Sequence, residues 1–197
     1  FIAFCWSLFQ LWYASPFPFM VGFGVFIDVP ARAIHLSFAF LIAFLSYPLL
    51  KKDKNKNFGV LDIIVAFVAF ACAMYIVIFY EKIVYSNGIL WKLPITLFGV
   101  TYDFPIEMVI GIIAVTLLLE ATRRTIGLPL VIVAIVFLAY SVFGQSMPDL
   151  ISHQGLSLKR LVGYHWFGGE AIFGIPISVS VSFVFLFVLF GSMLDYG

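Results

Sequence analysis

An all-α integral membrane protein, with about six transmembrane helices and one external amphipathic segment, is what this sequence predicts. Three observations carry that. The 197 residues are 63% hydrophobic and only 11% charged, whereas a soluble domain has about 25% charged and about 45–50% apolar residues. The apolar residues fall into runs long enough to cross ~30 Å of hydrocarbon at ~1.5 Å per helical residue. The charges gather between those runs, where an ion costs little compared with the bilayer centre. A net charge of +1 and the lack of a basic tract with interleaved aromatics give no nucleic-acid footprint. Cys5 and Cys72 lie inside apolar runs and read as small buried hydrophobes rather than a disulfide or metal framework.

In chain order, the first span covers residues 1–20. Pro16 and Pro18 break its end, and Trp12, Tyr13 and Phe17 suit an interfacial belt. The chain opens on apolar Phe1 and stops at Gly197 just beyond a hydrophobic run, so it reads as a fragment. The opening run lacks a basic start and a small-residue cleavage site, and so is not a removable signal peptide. Asp28, Pro30 and Arg32 are expected to form the first loop. The second span covers residues 33–50, with His35 in its first turn. No second ligand is spaced to join it, so His35 reads as a neutral or interfacial residue rather than a ligand. Lys51, Lys52, Lys54 and Lys56 then form the densest positive cluster, opposed by Asp53.

The third span covers residues 60–80, with Asp62 where a carboxylate favours a helix N-terminus. A longer loop follows over residues 85–103. Asn87-Gly88 signals a turn, and residues 93–100 alternate weakly enough for a short extended piece. The fourth span covers residues 104–119. Asp103 is placed to cap it, Pro105 fits its first turn, and Glu107 faces the positive end of the dipole, the alternative being an intramembrane carboxylate that couples ions.

The stretch from Glu120 to Pro129 (EATRRTIGLP) separates the fourth span from the fifth, residues 127–143. Glu120 precedes Arg123 and Arg124 by three and four residues, so a helix pairs it with either. The two arginines also complement the negative C-terminal end of their helix. They read as topology anchors, together with Lys51, Lys52, Lys54 and Lys56. Residues 147–169 are too polar to span. They are expected to lie along the external interface as an amphipathic helix, with Tyr164 and Trp166 at headgroup level. His153, His165 and Glu170 match no metal-ligand spacing. The sixth span covers residues 171–194. Gly174 and Pro176 are able to bend it, and Ser178, Ser180 and Ser182 allow close packing. The two basic clusters are two spans apart and therefore share a side, the cytoplasmic one. The N-terminus is then cytoplasmic.

No span holds a paired catalytic set, so an enzyme is not expected. Composition by itself gives only a polytopic membrane protein, with a non-transporting scaffold or anchor subunit of a complex among the open readings. Several stretches narrow that choice: EATRRTIGLP at 120–129, FLAY at 137–140, Gly144 with Met147-Pro148, His153-x-Gly155, EAIFGIP at 170–176 and SVSFVFLFVLFG at 180–191. With AIHLSF at 33–38 and AFLSYP at 43–48, they resemble the fused permeases of tripartite ATP-independent periplasmic (TRAP) transporters, in the subgroup served by TAXI-type solute-binding proteins. The resemblance implies a four-helix small-subunit-like membrane domain over residues 1–126. Residues 127–197 would begin the large transport subunit. It further implies a multi-pass protein of a bacterial or archaeal cytoplasmic membrane, which imports a small organic acid by symport with Na+ or H+ and holds no other cofactor. A periplasmic TAXI-type binding protein would deliver the solute. Substrate-binding residues are expected beyond Gly197.

Overall fold

The computed structural model describes residues 1–26, 28–49, 59–86, 92–97 and 100–196. The lysine cluster at 51, 52, 54 and 56, and the turn at 87 and 88, lie outside the described residues. The chain is a helical bundle, as the composition requires. Its helices are α1 (Ile2–Ala14), α2 (Phe17–Val21), α3 (Asp28–Ser46), α4 (Val60–Tyr85), α5 (Ile106–Thr125), α6 (Leu128–Phe143), α7 (Leu158–Val162), α8 (Ile175–Val179) and α9 (Phe185–Tyr196). Five-residue π-helical turns, Gly163–Phe167 and Ser180–Val184, extend α7 and join α8 to α9. Among the described residues, four helices are long and apolar enough to cross a membrane: Asp28–Ser46, Val60–Tyr85, Leu128–Ser146 and Ile175–Asp195.

Several boundaries differ from the sequence reading, each for a local reason. The first span is divided. The chain is extended at Ser15, and α2 restarts at Phe17 with Pro18 in its first turn. The 13 residues of α1 reach about 20 Å, short of ~30 Å of hydrocarbon. Asp28, Pro30 and Arg32 are not a loop but the first turns of α3. Asp28 and Pro30 suit a helix start, and Arg32 pairs back to Asp28 at 3.5 Å, four residues on. The extended piece anticipated near residues 93–100 is an antiparallel hairpin, β1 (Lys92–Leu97) with β2 (Val100–Pro105), in which Lys92 faces Pro105. Asp103 is therefore in a strand and does not cap α5, whose N-cap is Pro105. Residues 147–169 are no single interfacial helix. After a 3-10 turn at Gly144–Ser146 the chain is irregular until α7, and Leu161, Val162 and Trp166 face the interior. Trp166 is fully buried, edge-on to Phe173 at 5.3 Å, rather than exposed on an amphipathic face.

The core forms where small residues let helices approach. Ala66, Ala69 and Ala73 of α4 recur at three- and four-residue spacing and are fully or almost fully buried. Phe40 and Phe44 of α3 fill the space opposite. Between lipid-solvated helices, such contact packing replaces the hydrophobic drive. α3 is the central helix, 56% buried, whereas the spans containing α6 and α9 are 11% and 6% buried and present broad apolar faces. α5 packs against the α7 segment at Gly111, where an added methyl would run into the side chain of Val162. Gly191 has nothing within 4 Å of that position.

A stability contrast follows from those two glycines. Gly111→Ala is expected to destabilise the protein by about 1–3 kcal/mol through overpacking. Gly191→Ala is expected to be neutral or to gain up to about 1 kcal/mol of helix propensity. Thermal melting of both variants in the same detergent checks this, with Gly111→Ala the lower.

Candidate functional site

Two polar assemblies are built into the apolar bundle, at opposite ends of α3. The first joins the C-terminal end of α3, the N-terminal end of α4 and the C-terminal end of α5. Glu120 receives both arginines. Arg123 donates Nε to Oε2 at 2.7 Å and Nη2 to Oε1 at 2.8 Å, and Arg124 donates Nε to Oε1 at 2.8 Å. Arg124 also donates Nη1 to Asp62 Oδ1 at 2.6 Å and to the Tyr47 carbonyl at 3.2 Å. Its guanidinium carbon lies 4.9 Å from the centre of the Phe44 ring, a cation–π contact. Asp62 Oδ1 accepts a further bond from the Leu49 amide at 3.2 Å.

The adjacent arginines thus have different environments. The Arg124 and Asp62 side chains are each 5% exposed, whereas Arg123 is 39% exposed. Consecutive helical residues point about 100° apart, so one arginine enters the bundle while its neighbour faces out. The sequence reading of Arg123, Arg124 and Glu120 as a paired group at a helix end is matched by their geometry. What it missed is Asp62, taken only as a helix-dipole residue, which reaches Arg124 across 62 positions of sequence. The Arg123 hydrogen bond is the main cause that pushes the Glu120 carboxyl down to about 2, with Arg124 adding to it, and the same bond raises Arg123. Two carboxylates and two guanidiniums close this set with no net charge.

The second assembly surrounds His35, which is buried in α3. Trp6 and Gln10, one turn apart on α1, both bond its Nδ1, the indole at 3.2 Å. Its Nε2 lies 3.1 Å from Ser180 Oγ, the first residue of the π-helical turn before α9. One turn earlier on α3, Arg32 donates to the Phe173 carbonyl at 2.7 Å. The clue available in the sequence was Gln10, a lone amide in an otherwise apolar stretch of α1.

Glu107, in the first turn of α5, is buried and accepts from the Tyr75 hydroxyl at 3.2 Å. His153, His165 and Glu170 are not brought together. His153 accepts from the Gly155 amide at 3.0 Å and sits 3.0 Å from the Tyr140 carbonyl, while His165 bonds the Leu161 carbonyl. Among the described residues, no group of three His, Cys, Asp or Glu side chains is placed to hold a metal ion. No family model, curated protein or solved structure matches the chain.

Two outcomes follow from the ion network. Arg124→Ala strands the nearly buried Asp62 and is expected to cost about 3–5 kcal/mol, whereas Arg123→Ala is expected to cost much less. Denaturant titration of the two variants in one detergent decides this, and equal losses would contradict the asymmetry. Because the Glu120 carboxyl is depressed in the folded state from its ordinary 4.5 to about 2, its stabilisation is complete above pH 4.5 and is lost as pH falls through 2. Acid titration of stability should show that loss in the native protein and a flatter profile over the same window in Glu120→Gln.

Proposed function

We propose that the chain is a membrane component of a binding-protein-dependent secondary transporter that imports an organic acid or similar small solute. The observation that carries this reading is the run of motifs between Glu120 and Gly191, which resembles TRAP transporter fused permeases of the TAXI-type subgroup. Four long apolar helices and an irregular helical turn, Ser180–Val184, are compatible with it. Secondary transporters build their sites at interrupted helices. In this reading residues 1–126 form the small-subunit-like domain and residues 127–197 begin the transport subunit. The basic 51–56 segment and the Arg123–Arg124 turn face the cytoplasm. A periplasmic TAXI-type protein supplies the solute, and a Na+ or H+ gradient drives it inward.

A second reading, a non-transporting scaffold, is favoured for residues 1–126 by the ion network. Asp62, Glu120, Arg123 and Arg124 satisfy one another, which suits them to fixing helices rather than to holding a solute carboxylate.

The test is uptake of labelled organic acids into proteoliposomes that contain the full-length protein. Accumulation is expected only when binding protein and an inward Na+ or H+ gradient are both present. A Lys54→Cys variant should react with a membrane-impermeant thiol reagent from the cytoplasmic face alone. Uptake independent of both requirements, or labelling of position 54 from outside, would overturn the proposal.

A further inference from the structure

The buried assembly around His35 contains a polar group with no partner. Gln10 is 1% exposed, and its Oε1 meets no donor, while its amide nitrogen points at His35 Nδ1. A buried carbonyl left without a hydrogen bond is rare and unfavourable in folded proteins. The other contacts of the ring explain why it is tolerated. An indole N–H only donates, so the Nδ1 that faces Trp6 at 3.2 Å carries a lone pair. The neutral ring then keeps its proton on Nε2, which donates to Ser180 Oγ at 3.1 Å. With Nδ1 an acceptor, Gln10 must turn its nitrogen toward it and leave Oε1 unsatisfied.

We propose that His35 is a proton-binding site, with Gln10 as the partner that reverses its hydrogen bond and Trp6 as the group displaced. A proton added to the Nδ1 lone pair converts that atom from acceptor to donor. Rotation of the Gln10 amide by half a turn presents Oε1 to the new N–H, and the orphaned carbonyl gains its partner. The imidazolium then holds two acceptors, Gln10 Oε1 and Ser180 Oγ, in charge-assisted bonds. The indole N–H of Trp6 no longer has an acceptor there and turns away. The proton comes from water and returns to it, so no other bond is made or broken.

The position of the site gives this exchange a consequence. Trp6 and Gln10 belong to α1, and Ser180 opens the π-helical turn that joins α8 to α9. π-Turns of this kind recur at functional positions. Protonation strengthens the tie from α3 to that turn and weakens the tie from α3 to Trp6. An open recess of about 330 Å³ is lined in part by Tyr13, Asp28 and Ser182, which belong to the same elements as Gln10, His35 and Ser180. Tyr13 is one turn beyond Gln10, and Ser182 lies in the same π-turn as Ser180.

Other titratable groups on the surrounding elements are engaged elsewhere or differ in kind. On α3, Asp28 and Arg32 pair with each other, and Arg32 also holds Phe173. α1 carries Cys5 and Tyr13. α4 carries Asp62, bound to Arg124, with Cys72, Tyr75, Tyr80, Glu81, Lys82 and Tyr85. α5 carries Glu107, bonded by Tyr75, and the closed set of Glu120 with the two arginines. α9 carries Asp195 near its far end. None of these is a hydrogen-bond partner of His35, whose polar contacts are Trp6, Gln10 and Ser180. The inference does not depend on the transporter reading.

The experiment is a pH titration of the full-length protein in lipid nanodiscs, labelled with 15N-histidine. The His35 signals are identified by their loss in His35→Gln. At about pH 9 the ring should carry its proton on Nε2 with Nδ1 bare, and acidification should protonate Nδ1. Gln10→Met keeps the length but removes the carbonyl, and should lower the midpoint by about one pH unit. Trp6→Phe removes the donor that opposes protonation and should raise it. The tautomer in the unaltered protein and the opposite sign of the Trp6 variant keep the test decisive if Gln10→Met does not fold. An Nδ1-protonated neutral ring, a ring that stays neutral down to pH 4, or midpoints unmoved in the folded variants would overturn the proposal.

Discussion

The arrangement of the bundle depends on Arg124. A guanidinium that is 5% exposed among apolar helices is tolerable only when its donors are occupied and its charge is matched. Its charge is matched, and its Nε and Nη1 donors are taken up, by residues from three helices and the segment after α3: Glu120 on α5, Asp62 on α4, the Phe44 ring on α3 and the Tyr47 carbonyl just beyond α3. The contact therefore fixes the relative height of three helices at one end. With that register set, the alanines of α4 meet the phenylalanines of α3.

The rest follows from the weakness of apolar discrimination in lipid. A leucine gains little by leaving hydrocarbon for a neighbouring helix, so small residues and polar contacts choose the partners. α3 has both. Phe44 and the Tyr47 carbonyl beyond its end serve the ion network, while Arg32 and His35 near its start hold Phe173 and Ser180 of the C-terminal segment. Through those two bonds the helix links residues far apart in sequence. The spans that contain α6 and α9 are the least buried of the four and keep broad apolar faces outward.

Function enters at a different level. The proposed transport role rests on a resemblance of motifs in the second half, whereas the ion network reads as architecture. The His35 assembly is different in kind, since it holds an unsatisfied acceptor beside a titratable ring and touches both α1 and the turn before α9.

Much of this was legible in the residues alone. Composition determined a membrane-embedded helical chain, because an apolar share of 63% with 11% charge fits no soluble core. The spacing of Glu120, Arg123 and Arg124 determined a local ion pair, because residues three and four apart share a helix face. Pro16 and Pro18 marked the end of the first helix but not its shortness. Only the tertiary structure decided that Arg124, not Arg123, is buried, because that depends on which face of α5 meets α4. It also decided that Asp62 is that arginine's partner, that Trp166 is buried in the bundle, and that Gln10 and Ser180 converge on His35. Those contacts join residues separated by 25 to 145 positions, and helical periodicity within one segment holds no information about the angle at which another segment packs against it.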